Sequence, residues 1–222
     1  MKIKALLFLL TSSSLSLFAF EPYHEIATGY YGDAGITFAL RLEEESKRSP
    51  FFIQARGGYI YQTDSGNATD ARAIFINDNS GGNVEKYGES YLAALDLGWK
   101  WKSLEKMSVE LTLSGLWNYY LAHYSFIGDN EAFTVTTKPF GIGVGAALRM
   151  PLSNSRSSLM LKGGAEYFPK AQLNAHGTYY YTPSGEDDKP RDGYSYDDAD
   201  EAVNQPRFRP YLLIGYLYAI GR

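Results

Sequence analysis

The stretch YLAALDLGWKWK, from Tyr91 to Lys102, alternates between two kinds of side chain. Its odd positions hold Tyr, Ala, Leu, Leu, Trp and Trp, whereas its even positions include Asp96, Gly98, Lys100 and Lys102. Successive side chains of a β-strand point to opposite faces, and no helix separates these two sets. The stretch therefore predicts a strand between an apolar and a polar environment.

The same alternation recurs in segments that begin near residues 25, 35, 51, 107, 140, 159 and 212, which gives eight predicted strands. Three connections are short: 46–50, 103–106 and 152–156. Three others are long: 62–89, 124–134 and 169–207. Short and long connections alternate along the chain, apart from a tight turn at 32–34. This order predicts an all-β fold, an eight-stranded antiparallel up-and-down barrel with three long external loops.

Composition excludes several classes of protein. The formal charge is −4 and no basic cluster occurs, so we expect no nucleic-acid partner. Cysteine is absent, which excludes a disulfide framework, and no histidine spacing indicates a metal site or a cofactor. Lys2 and Lys4 followed by the apolar run Ala5–Leu10 predict a signal peptide over residues 1–19. Residues 20–222 are then expected to form one domain.

Alternation alone does not decide which face is outside, because a soluble lipocalin-like barrel would enclose its apolar set. Aromatic residues fall at both ends of the predicted strands, as at the two interfaces of a bilayer. The polar face is rich in Gly and Ala, which suits the narrow interior of an eight-stranded barrel. We therefore expect a transmembrane barrel in a bacterial outer membrane.

With these strands, belts and connections, the chain resembles the small outer-membrane barrel families of the OmpA-transmembrane, OmpX and OmpW kind. We expect a monomer whose partners are outer-membrane lipid and lipopolysaccharide. The leading hypothesis for its function is a non-enzymatic surface anchor that presents its loops for contact, adhesion or envelope integrity. The alternative is passage of a small or apolar solute across the membrane.

The polar face carries charges of both signs in similar number. A narrow lumen requires such pairing, because lone buried charges are costly. The set indicates either a structural salt-bridge plug or a narrow polar conduit. It comprises Arg41, Glu43, Arg56, Asp96, Lys100, Glu110, Arg149, Lys162, Glu166 and Arg209.

His123 and Ser125 share the lipid-facing side of their predicted strand at the outer rim. The pair resembles the His-x-Ser motif of the PagL-type lipid A deacylases, small barrels with a Ser, His and Glu triad. A base beside a hydroxyl is what acyl hydrolysis requires. Glu131, in the following loop, is the nearest carboxylate to orient the imidazole. The alternative interpretation is a polar rim without catalysis.

The long loops are the predicted contact surfaces for a partner, over residues 62–89 and 169–207. The second contains an acidic run from Asp197 to Glu201. This run is either a weak divalent-cation site that bridges to lipopolysaccharide phosphates or a loop kept soluble by its charge.

Overall fold

The structure is a computed structural model that describes residues 20–44, 49–104, 107–129, 131–153, 156–176 and 189–220. The predicted signal peptide, residues 1–19, lies outside these ranges. The elements of the described chain are β1 Phe20–Tyr31, β2 Ala34–Glu44, β3 Phe51–Gln62, α1 Ala68–Phe75, β4 Asn83–Leu104, β5 Met107–Ile127, β6 Glu131–Thr137, β7 Phe140–Pro151, β8 Ser157–Tyr167, β9 Asn174–His176, α2 Tyr196–Ala202 and β10 Phe208–Ala219.

Eight of these strands close into a barrel with antiparallel neighbours throughout. The ring runs β1, β2, β3, β4, β5, β7, β8 and β10, and β10 pairs back onto β1. Closure pairs both edges of every wall strand. A strand in hydrocarbon requires this pairing, because no water is present there to form hydrogen bonds with its backbone groups. The predicted eight-stranded fold is confirmed.

The wall is apolar outside and charged inside. Leu97 and Phe38 are each 56% exposed, whereas Arg41 and Glu110 are each 1% exposed. This is the reverse of a soluble barrel, and it matches a wall that faces lipid. Gly98 contributes to the narrow interior, because a Cβ there would lie 1.9 Å from the ring of Phe52.

Aromatic side chains flank the aliphatic band of the outer wall at both ends. Near the short turns these exposed residues are Phe51, Trp99, Trp101, Tyr216 and Tyr218. At the opposite end they include Tyr61, Tyr91, Phe140, Tyr167 and Phe208. The two belts lie where the interfaces of a bilayer favour aromatic rings.

Two strands continue well beyond the barrel. β4 has 22 residues and β5 has 21, whereas β2 has 11. Above the barrel β5 leaves β7 and pairs with β6 instead, and β9 extends this sheet. The change of partner falls at Lys138 and Pro139, where the carbonyl of Pro139 accepts the Asn118 N–H at 3.0 Å.

Residues 124–134, predicted as a long connection, contain regular structure. They form a hairpin of β5 and β6, whose turn includes Gly128 at a φ of 103°. The other two predicted loops contain regular structure: 62–89 holds α1 and the start of β4, and 169–207 holds β9 and α2. The alternation of buried and exposed side chains continues in this hairpin because an apolar core above the barrel covers one of its faces.

Within the described residues, no helix combines the length and apolar character needed to cross a bilayer.

Candidate functional site

Most charged residues of the lumen form two connected groups, and Lys162 and Glu25 form a separate pair. In the group nearer the short turns, the guanidinium of Arg41 donates to both carboxylate oxygens of Glu110, at 2.7 and 2.8 Å. Arg41 also pairs with Glu43 at 2.5 Å. Glu43 in turn accepts from Lys100 at 2.6 Å and from Arg149 at 2.8 Å. Three cations therefore share two carboxylates across the barrel.

The second group lies at mid-height. Arg56 donates to Asp96 at 3.0 Å and pairs with Glu166 at 3.2 Å. The hydroxyl of Tyr31 donates to Glu166 and accepts from Arg56. The ammonium of Lys162 donates to Glu25 at 2.5 Å. Each buried charge here meets an opposite one, which offsets much of the cost of removing it from water.

Sequence reasoning missed two of these residues of the lumen, Glu25 and Tyr31. Both lie on the inward positions of β1, and both are buried. The sequence predicts a strand that begins near residue 25, but no faces were assigned to it. The odd positions Tyr23, Glu25 and Ala27 carry the inward signal.

A polar layer lies at the outer end of the lumen, around Arg209. Arg209 donates to Ser90 at 2.9 Å and lies 4.0 Å from Glu166. The side-chain amide of Asn118 and the hydroxyl of Tyr120 are buried without a hydrogen-bond partner among the described residues. Because buried polar groups normally find a partner, we expect ordered water in this layer.

The described segments beyond the barrel form a cap, defined as residues 63–82, 120–129, 131–137, 168–176 and 189–207. Its core joins Ile74 and Phe75 of α1, Ala199 of α2, and Phe126 and Phe133 of the hairpin. Arg191 binds the two long connections together: its backbone N–H donates to Ile74 and its guanidinium to Asp78. The hydrogen bond from Arg191 lowers the pKa of the Asp78 carboxyl.

Glu131 belongs to this cap and not to a catalytic group with His123. It faces inward opposite Phe126, whereas His123 faces outward on the same sheet. Its carboxylate pairs with Arg72 of α1 and accepts from Asn77 at 2.9 Å. The predicted role of Glu131 in orienting His123 was therefore wrong, because the alternation of β6 turns the two side chains to opposite faces.

His123 has two other partners on the outward face. Its Nε2 lies 3.3 Å from Glu89, and its Nδ1 lies 3.0 Å from the hydroxyl of Thr134. A carboxylate only accepts hydrogen bonds, so in the neutral ring Nε2 carries the proton and Thr134 donates to Nδ1. Ser125 is two residues away on the same face, with no hydrogen bond to His123 among those described. The structure thus brings Glu89 and Thr134 to the imidazole, and not Ser125 or Glu131.

A shallow depression of about 310 Å³ lies beside His123 on this outward face. Its lining includes Glu85, Tyr87, Ser125, Phe133 and Thr134. The ring of Tyr87 stacks on that of His123, with centroids 4.6 Å apart, and Tyr61 stacks on Tyr87 at 5.8 Å.

The chain resembles solved structures of outer-membrane and surface proteins. A major outer membrane protein from Thermus thermophilus is 21% identical, with a TM-score of 0.70 over 91% of this chain and 100% of that chain. CarO2 of Acinetobacter baumannii is 13% identical, with a TM-score of 0.47 over 91% and 100% of the two chains. Neisserial surface protein A is 9% identical, with a TM-score of 0.44 over 90% and 94%. Neither a family model nor a curated protein matches the chain.

The closed ring, the exposed apolar band and the two aromatic belts define the class of protein. The chain is an eight-stranded β-barrel of the outer-membrane type, with an apolar wall that faces lipid.

Proposed function

We propose that the protein is a non-enzymatic anchor that holds the folded cap at the outer surface of the membrane for contact, adhesion or envelope integrity. The observation that carries this proposal is the core of the cap. Strand β5 runs from the barrel wall directly into that core, and β4 pairs with β5 along this length, so continuous strands join the cap to the membrane-spanning part. A surface built on strands is positioned more accurately than one on free loops.

The filled interior of the barrel favours the anchor function over the passage of a solute. Arg41, Arg56 and Arg209 cross the lumen in ion pairs and are each at most 6% exposed. An eight-stranded barrel is just wide enough for its side chains to fill it. Reconstitution into planar bilayers tests this point. We expect no current above that of bare lipid, and defined conductance steps would favour the solute-passage alternative instead.

Cysteine labelling tests the outward placement of the cap. The sequence contains no cysteine, so a single introduced cysteine is the only thiol that can react. Thr69 on α1 and Ser153 in a short turn are both exposed and lie at opposite ends of the molecule. On intact cells, a membrane-impermeant maleimide should react with Thr69→Cys. It should react with the matched variant Ser153→Cys only after the outer membrane is permeabilised. The reverse pattern would contradict the proposal.

A further inference from the structure

The depression beside His123 lies just outside the outer aromatic belt. Tyr91 and Tyr119 are paired in register within that belt, and Tyr87 and His123 are paired four residues further along the same strands. Four residues of a strand rise about 13 Å, or roughly 10 Å along the membrane normal at a tilt of about 40°. This height exceeds the hydrocarbon edge, so the groups that reach the depression are the headgroups of lipids packed against the barrel.

The chemistry of the depression includes an aromatic platform. The rings of Tyr61 and Tyr87 lie nearly parallel, at 20°, and those of Tyr87 and His123 at 22°. Tyr61 is 40% exposed and Tyr87 is 37% exposed, so part of each aromatic side chain remains free for contact. Because Tyr87 lies between Tyr61 and His123, the stacked rings present their exposed edges as one apolar surface, to which the C–H face of a pyranose ring is complementary.

The polar groups around the platform favour a neutral, hydroxyl-bearing ligand. Glu85 and Ser125 line the depression, and Glu89 is held beside it by hydrogen bonds with Tyr59 and His123. Carboxylates accept hydrogen bonds from hydroxyl groups and repel phosphate. The residues that line the depression, all of them described, include no lysine or arginine. Lys86 points to the opposite face, where it binds Asp64.

We propose that this depression binds a pyranose ring of an outer-leaflet glycolipid. The sugar ring packs against the exposed edge of the Tyr87 ring, between Tyr61 and His123, while its hydroxyls donate to Glu85 and Glu89. This inference rests on the proposed outward placement of the cap, since only then does the depression face glycolipid. It adds a lipid contact to the anchor: the sugar is held between the outer belt and the cap.

Saturation-transfer NMR on the full chain in phosphatidylcholine nanodiscs that contain a monoglucosyl diacylglycerol tests the proposal. Irradiation of the aromatic protons should transfer saturation to the sugar-ring protons. Transfer should fall several-fold in Tyr87→Ala and persist in Tyr87→Phe, which keeps the ring. Tyr216→Ala, at the opposite belt, is the control and should leave the sugar signal unchanged.

Equal sugar transfer in Tyr87→Ala and the wild-type protein would overturn the proposal. Transfer confined to acyl-chain protons, or competition by phosphatidic acid, would also overturn it. If Tyr87→Ala does not fold, Ser125→Tyr takes its place, because a larger side chain there fills the depression and should abolish the sugar transfer. Cysteine labelling reports the side of the membrane independently. An outward cap without sugar transfer would therefore refute this inference alone.

Discussion

Arg72 on helix α1 forms a buried ion pair with Glu131 on strand β6, and this pair joins the first long connection to the β5–β6 hairpin. Arg72 also donates to the carbonyl of Gly81 at 2.9 Å, and its guanidinium lies 4.1 Å from the centre of the Phe126 ring. The cap thus has a charged contact inside its apolar core, and loss of one partner leaves the other charge buried.

We predict that Arg72→Met loosens the cap and leaves the barrel closed. Removal of one partner of a buried pair costs about 3–5 kcal/mol. Hydrogen exchange should show faster exchange in α1 and β6, with unchanged protection in β2 and β8. Lys86→Met is the matched control, because the exposed pair of Lys86 with Asp64 contributes at most about 1 kcal/mol. Equal effects of the two substitutions would contradict the assigned role of Arg72.

A second prediction concerns the lumen. Arg56→Met removes the cation shared by Asp96 and Glu166, so two carboxylates are left in the narrow interior. We expect a loss of about 3–5 kcal/mol in the free energy of unfolding. Urea titration in vesicles, read by the shift in gel mobility between folded and unfolded protein, measures it. An unchanged urea midpoint would show that the network is not required for stability.

A third prediction tests the polarity of the wall. Leu97→Arg places a charge on the lipid-facing side and should cost about 2–4 kcal/mol near the bilayer midplane. Ala94→Ser, on the opposite face of the same strand, should have a much smaller effect. Folding yields into vesicles compare the two variants. Similar yields would mean that the two faces of β4 have been assigned wrongly.

A fourth prediction follows from Asp33 in the tight outer turn. Its carboxylate accepts from the N–H of Thr63 at 2.8 Å and from the N–H of Ala34 at 2.9 Å, and these bonds lower its pKa. The pKa of Asp33 is lower in the folded protein than its unfolded value of about 3.9, so the ionised carboxylate stabilises the turn at pH values above about 3.9. This stabilisation is lost as the pH falls through the folded-state pKa. Exchange of the Thr63 amide should accelerate under these acidic conditions. Asp33→Asn should remove this pH dependence, and retention of it would identify another titrating group.

A fifth prediction concerns catalysis at His123. Because the hydroxyl bonded to His123 belongs to Thr134 and not to Ser125, we expect no acyl hydrolysis through the predicted pair. Mass spectra of lipid A from cells that express the wild-type protein, His123→Ala or Ser125→Ala should be the same. An acyl loss that occurs with the wild-type protein and disappears in both variants would establish the deacylase alternative.

The wall of the barrel was predictable because its signal is local. Tyr91–Lys102 alternates within one strand, and the same pattern assigns Leu97 to lipid and Asp96 to the lumen. The hairpin at 124–134 was not predictable in this way. Its inward residues Tyr124 and Phe126 are covered by Phe133 of the same hairpin and by the two helices. The helices are distant from these residues in the sequence. The prediction for residues 124–134 was therefore a long connection between two wall strands.

The sequence by itself determined the number of wall strands, their inward and outward faces and the position of the aromatic belts. These properties follow from the period of two and from the two environments that a membrane barrel separates. Only the tertiary structure decided which charges meet, as with Arg41 and Glu110, 69 residues apart. It also assigned Glu131 to Arg72 and gave His123 its neighbours Glu89 and Thr134. Such pairings depend on strand register and on the fold of the cap, because residues distant in sequence become neighbours only when the barrel closes.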